Sequence, residues 1–529
     1  MKKIAKFLIV LGMMGQLSSC DYLDIVPDER AQESDTWKTE GAVRGYLYSC
    51  YGYLPANRTF GNSYWLAEEL TAVTKELFTT FKYGYYSPVS LGFTSNTWST
   101  IWNGIHQCYM FQESLKQVSN EYVTDEMKKQ YLAESNFLIA YYHFLSMRSY
   151  GPTMIIRSVI DLETPISGFP ERSSIDEVVA FINEKLDEAM SEGGLPTTWS
   201  GKDYGRATRL AALALKSRVY LYAASPLYNG NTEMYADFRS PLDGRQLIAQ
   251  EKSQAKWEIS ATQTKYAIDE VEKAKFHLYH DADAGEPSDA KPGLPNKAQR
   301  RLRYTNIDNQ TGNNPEIIWA DTRNDDYYGI QRRCPPRQTL GGKFAGISMT
   351  NCPTLQTIEA FYTKNGLPIN KDKTFDYDER YEYISAPENC DGNNYEDLVK
   401  YANFTPSSDK VMRLCTDREP RFYAWTTYHN GYFEFGKYNN EEISADPAKR
   451  AIRIHLLRDD PHGRGNRTDQ EYSISGFGNK KGVVPSAEWN VIEYPFPLFR
   501  LAELYLNYAE ALVELDRLSE AKVYLDKVR

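Results

Sequence analysis

Between Ala207 and Ala224 the chain runs through a helix-length stretch that is largely small and apolar, interrupted by Lys216 and Arg218. A helix that is apolar on nearly every side must be wrapped by other elements, because apolar area left in water costs free energy in proportion to its size. Gly205 stands before the stretch and Ser225-Pro226 ends it. The sequence supplies the neighbours it needs. Val43, Leu47, Cys50 and Leu54 recur at helical spacing and stop at Pro55. Trp98, Ile101, Trp102, Ile105, Cys108, Leu115 and Val118 fall on one broad face, on which Trp98 and Trp102 read as core. A third helix runs from about Asp125 to Tyr150, where Gly151-Pro152 ends it. Ser174 and Glu177 make a capping box before Ile175, Val178, Ile182, Leu186 and Ala189. Trp257 to Ala274 reads as another helix.

Other stretches lack that periodicity. Residues 57–97 fill with Gly, Ser, Thr and aromatics, and from about 280 to 495 short segments are punctuated by Gly, Pro, Asn and Asp. Loops of such length are functional or poorly ordered in most domains. Periodicity returns in Leu501 to Glu514 and Ser519 to Arg529, joined by a tight Leu515–Leu518 turn. Tyr505, Tyr508, Ala509, Leu512, Ala521, Leu525 and Val528 follow the 34-residue tetratricopeptide pattern over one repeat. Such pairs need stacked neighbours to bury their faces. The expected fold is mostly α, a tetratricopeptide-like helix-pair scaffold carrying a large, irregular, loop-rich half.

The N-terminus fixes an address. Lys2, Lys3 and Lys6 precede the apolar run Phe7–Met14, which is too short to span roughly 30 Å of hydrocarbon and reads as a secretion signal. Leu17-Ser18-Ser19-Cys20 then matches a bacterial lipobox, so Cys20 is the expected lipidation site and the new N-terminus. The division expected is 1–19 signal peptide, 20–34 tether, 35–280 helical region and 281–529 second region, with loops over 281–495 and a terminal helix pair over 500–529. The mature chain is expected to be lipid-anchored; the resemblance set out below implies the cell outer membrane, facing the exterior.

A formal net charge of −10 argues against a nucleic-acid partner, which demands a basic surface. Of the six later cysteines none forms a C-x-x-C pair, so zinc is not expected; a disulfide is permitted, most plausibly among Cys334, Cys352, Cys390 and Cys415. No H-E-x-x-H, G-x-S-x-G or P-loop occurs. The Asp459-Asp460-Pro461-His462-Gly463-Arg464-Gly465 run reads as a solvated turn in preference to a cation site. Asp325-Asp326 and Glu68-Glu69 carry little weight as a glycosidase pair among 71 acidic residues. No catalytic residue, metal or cofactor is assigned.

Several blocks, in order, resemble the SusD/RagB family of nutrient-uptake lipoproteins. They are Asp21-Tyr22-Leu23-Asp24 behind the lipobox, Glu134 to Phe144 closed by Tyr150-Gly151-Pro152, and Gly205-Arg206-Ala207-Thr208 running on to Tyr228. Asn314-Pro315-Glu316-Ile317-Ile318-Trp319, Asp417-Arg418-Glu419-Pro420-Arg421-Phe422 and Pro497 to Ala511 complete the set. Glu419 stands where the family usually has Asp, and its members usually continue past the position of Arg529. The resemblance implies a stack of tetratricopeptide-like helix pairs with an irregular ligand-binding half. It also implies a partner, a SusC-type TonB-dependent transporter, and a cargo of oligosaccharide or polysaccharide; the RagB branch implies peptide instead. A surface glycoside hydrolase and a protein-binding adaptor are the remaining alternatives.

Sugar capture at a surface needs aromatic faces flanked by planar hydrogen-bonding groups. With 40 tyrosines the chain has many candidates. Two loop regions combine both kinds of group. One spans Phe78 to Trp98 and offers Tyr83, Tyr85, Tyr86 and Asn96. The other follows the expected Ile317–Trp319 strand and offers Arg323, Asn324, Asp325, Tyr327 and Tyr328. These nine are the candidate ligand-binding residues.

Overall fold

The computed structural model describes residues 37–55, 68–72, 84, 95–161, 163–280, 282–283, 297–308, 314–323, 329–336, 339–340, 343–344, 349–385, 410–434, 451–465, 472–484 and 493–529. The fold is mostly α. Its long helices are α1 (Glu40–Tyr51), α2 (Ser95–Leu115), α3 (Asp125–Tyr150), α4 (Ile175–Ala189), α5 (Arg209–Ala224), α6 (Gln254–Lys273), α7 (Leu501–Glu514) and α8 (Leu518–Val528). Each packs on the next in that order. The stack is therefore continuous in space although the chain leaves it after Lys273 and returns only at Leu501.

Local signals set the boundaries. The Thr124 hydroxyl accepts from Met127 N at the start of α3, and Gly151 takes a positive φ of 72° at its end. At α4 the reciprocal Ser174–Glu177 capping box forms as its spacing requires. α3 is the axis of the stack, with every residue from Ala133 to Met147 buried. Two of the three charges of α5 are paired outward: Lys216 Nζ reaches Asp187 of α4 at 2.6 Å, and the Arg218 guanidinium grips Glu503 of α7 through two nitrogens at 2.6 Å. Its buried hydroxyl is used too. Ser217 Oγ meets Thr264 Oγ1 of α6 at 2.8 Å and accepts from Asn507 Nδ2 of α7 at 3.1 Å. A helix with almost no polar face is thus tied to both neighbours without an unpaired group.

The irregular half joins the stack through one antiparallel ladder. Strand β1 (Ile317–Asp321) pairs with a strand at Phe496–Arg500, running Phe496 against Asp321 to Arg500 against Ile317. Trp319 stacks on Phe499 at 5.8 Å and sets its edge on Phe137 and Tyr141 of α3. Trp319 Nε1 donates to Gly205 O at 2.8 Å. Gly205 has φ near +100°, and a Cβ there would sit 2.8 Å from Thr322 Cγ2, so only glycine suits the turn.

Beyond the ladder lies a second, smaller core of Ile358, Phe375, Val411, Phe422, Tyr423 and Tyr428. Arg418 is buried beneath it and donates to the carbonyls of Leu414, Ile358 and Phe361 at 2.7, 2.8 and 2.6 Å. Glu419, in the position that departs from the family pattern, accepts from Tyr362 N and holds Arg421 in a forked pair.

Two expectations are corrected. Cys352 and Cys415 are buried thiols that form no disulfide; Cys390 lies outside the described residues. The final turn is shorter than expected, α8 starting at Leu518. Among the described residues no helix is long and apolar enough to cross a membrane.

Candidate functional site

Arg323 is the one loop candidate whose side chain is described. It leaves β1 at Asp321 and reaches across to the end of the first helical segment. Its Nη1 donates to Leu54 O at 2.8 Å and its Nη2 to Pro55 O at 2.9 Å, while Nε and Nη2 grip the Asp321 carboxylate at 2.9 and 2.7 Å. Its donors are thus engaged within the protein, and it clamps the end of β1 to the end of the first helical segment. Nearby, Trp102 packs against the main core, in keeping with its reading, whereas Trp98 is half-buried and sets its edge on Trp102 and Tyr150 outside that cluster.

Asn96 lies in the first turn of α2, its side chain outside the described residues. Tyr83, Tyr85, Tyr86, Asn324, Asp325, Tyr327 and Tyr328 also lie outside them, as does Cys20.

The irregular half holds an open pocket of about 430 Å³, within the range of small-ligand sites. Five short segments build it. Strand β2 (Tyr383–Ser385) pairs with β3 (Lys410–Met412) and brings Tyr383 and Lys410 to the rim. Between β3 and β4 (Tyr432–Glu434) the chain turns at Asn430, which takes φ of +62°, and Asn430 Nδ2 donates to Lys410 O at 2.6 Å. His429 and Asn430 form the wall. Past β5 (Ala451–Arg453), His455, Leu457 and Asp460 complete it.

Backbone amides set the chemistry of the imidazoles. Leu456 N donates to His429 Nδ1 at 3.0 Å and His455 N to His462 Nδ1 at 3.0 Å. A ring nitrogen that accepts from an amide carries no proton, so each ring in its neutral form holds its proton on Nε2; His429 lines the pocket, whereas Nε2 of His462 is buried behind it. Burial and the neighbouring His455 push the His462 pKa down to about 4, which keeps it neutral. Asp460 Oδ2 accepts from Leu457 N at 2.8 Å and closes the turn. The 459–465 run is therefore a turn, and among the described residues no cluster of His, Cys, Asp or Glu is arranged to hold a metal.

What results is an opening lined, among the described residues, by a tyrosine ring, two imidazoles, a planar amide, an ammonium and a carboxylate. A second cavity, between Trp199, Arg206 and Trp319, has only about 30 Å³, the volume of about one water. The first pocket escaped the sequence reading. Its residues are scattered over some eighty positions, and of them only Asp460 had drawn attention, as part of a turn.

Two family models match the chain. One, the SusD family, covers residues 315–529. The other, described as "Starch-binding associating with outer membrane", covers residues 21–221. Among solved structures, BT4246 is 27% identical over 93% of this chain and 81% of its own, with a TM-score of 0.76. A SusD-like protein of Bacteroides fragilis NCTC 9343 is 19% identical over 94% and 80%, with a TM-score of 0.63. Another from the same strain, titled a SusD-like carbohydrate binding protein, is 16% identical over 91% and 75%, with a TM-score of 0.53. No curated protein matches. The chain belongs to the SusD/RagB family.

Proposed function

We propose that this protein is a lipid-anchored outer-membrane component that captures an oligosaccharide or polysaccharide and passes it to a SusC-type TonB-dependent transporter, without cleaving it. The observation that carries the reading is the pocket at Tyr383, Asn430 and His455. Rings provide apolar contact at about 25 cal/mol per Å², amide and imidazole groups orient hydroxyls, and nothing there is arranged for bond cleavage. The description of the matching family model, starch-binding and associated with the outer membrane, supports both the ligand class and the address. Tyr83, Tyr85, Tyr86, Asn96 and Asn324, Asp325, Tyr327 and Tyr328 are proposed to extend the ligand surface on loops anchored by the Arg323 clamp.

Affinity electrophoresis through gels containing a panel of polysaccharides tests this reading. Retardation by at least one glycan is expected. A chain retarded by none, but enriched from a peptide library, would move the assignment to peptide cargo. Labelling with a radioactive fatty acid tests the anchor: label is expected on the wild type and absent from Cys20→Ala.

A further inference from the structure

Two cysteines meet in the main core. Cys50 lies in the last turn of α1 and Cys108 in α2; in this structure both are thiols, and both are wholly buried. The two helices are held together at this level. The residues just before the cysteines are joined, Gln107 Nε2 donating to Ser49 Oγ at 3.1 Å. One turn earlier in α2, Gly104 leaves no room for a side chain: a Cβ there would sit 2.8 Å from the Tyr142 ring and 3.0 Å from Tyr53 Cβ. Both cysteine carbonyls are tied to α3, Cys50 O accepting from Tyr142 Oη at 2.6 Å and Cys108 O from Ser135 Oγ at 3.2 Å. The two thiols themselves lie in hydrogen-bond contact.

A single buried cysteine serves as a small apolar filler. A pair in contact across two helices can do more, because little movement separates it from disulfide geometry, in which the Cβ atoms stand about 3.8 Å apart. Outside the cytoplasm such bonds form and persist.

We infer that Cys50 and Cys108 are joined by a disulfide in the exported protein, stapling α1 to α2 and closing the chain from Tyr51 to Gln107 into a loop. This rests on the exported, lipid-anchored reading and is independent of the cargo. The loop carries Tyr83, Tyr85, Tyr86 and Asn96. The oxidant is the disulfide of a dithiol oxidase protein. One cysteine thiolate attacks it to give a mixed disulfide, and the other displaces the oxidase. One S–S bond forms and one breaks, and the two electrons and two protons leave on the oxidase as its dithiol. Burial and the neighbouring Cys50 thiol hold the Cys108 thiol well above its ordinary range, so the reactive thiolate is lost once the helices dock. Exchange therefore precedes the packing of α1 on α2. Closing so long a loop restricts the unfolded chain and stabilises the fold.

Mass spectrometry of the lipoprotein from producing cells, its thiols blocked by N-ethylmaleimide in denaturant at lysis, tests the bond. Peptides containing Cys50 and Cys108 are expected to be recovered joined, free of maleimide, and separated by reductant. Maleimide on both, or either cysteine joined elsewhere, would overturn the disulfide. If the same sample carries fatty acid on Cys20, the address still stands; if it does not, the address falls as well. Urea unfolding gives a second readout. Reductant is expected to lower the wild-type midpoint and to leave Cys50→Ala and Cys108→Ala, each already lowered, unmoved. A wild-type midpoint indifferent to reductant would overturn the staple.

Discussion

The Arg206 guanidinium lies against the Glu134 carboxylate inside the helical stack, where Glu134 is wholly buried and Arg206 nearly so. Glu134 also accepts from Tyr51 Oη at 2.7 Å, and Tyr51 Oη in turn accepts from Ala207 N at 2.9 Å. Arg206 reaches on to Asp203 at 2.8 Å and lies 4.1 Å over the Trp199 ring. One ion pair therefore ties α1, α3 and the turn into α5. Removing a single partner strands a buried charge, at a cost of about 3–5 kcal/mol. Arg206→Ala is expected to lower the denaturant midpoint accordingly, and Arg206→Lys to recover little of it, since an ammonium cannot fork between two carboxylates and stack on an indole. A midpoint unchanged in Arg206→Ala would refute this.

His143 is buried in α3 with both nitrogens used: Nδ1–H donates to Ile139 O at 2.7 Å and Nε2 accepts from Ile156 N at 3.3 Å. A second proton would set N–H against N–H, and burial lowers the pKa to about 4. The unfolded chain takes that proton near pH 6.5, so stability is whole above that pH and declines as pH falls toward 4. His143 alone accounts for about 3 kcal/mol of that decline. Urea unfolding at pH 7.5 and pH 4.5 should show a smaller drop for His143→Gln than for the wild type. Equal drops would place the acid sensitivity elsewhere.

Arg323→Ala removes the clamp between Asp321 and the carbonyls of Leu54 and Pro55. If the loops it anchors carry ligand contacts, affinity for the captured glycan should fall several-fold while helicity by circular dichroism stays unchanged. Unaltered affinity would detach those loops from the binding surface.

Ser174→Ala should cost about 1 kcal/mol, since the hydroxyl caps Glu177 N and the Glu177 side chain returns to Ser174 N. Thermal unfolding of the variant reads it directly. An unshifted transition would mean that this end of α4 is open in the global unfolding reference state.

How far the sequence discloses the structure depends on whether the signal is local. The 125–150 helix was legible because Thr124 and Gly151-Pro152 mark both ends, and the capping box because its residues lie three apart. The Ile317–Trp319 strand was legible as well, but its partner at Phe496–Arg500 was not, since pairing across so long a stretch leaves no local trace. Arg418 stood in the sequence only as part of a family-like block; its burial depends on carbonyls of Leu414, Ile358 and Phe361, the last two brought to it by the fold. The Tyr383–Asp460 pocket was invisible for the same reason, being assembled from five separate turns and strands. The Ser217–Thr264–Asn507 chain likewise needed the return of α7 to the stack before its purpose could be seen.

The role proposed for this protein is capture without catalysis at a ring-lined opening. The most direct measurement is to titrate the purified lipoprotein with the glycan that retards it, then recover that glycan and determine its chain length. Saturable binding with the glycan returned at its original length is the result expected. Absence of saturation, or recovery of shortened products that disappear on replacing a single carboxylate, would contradict it.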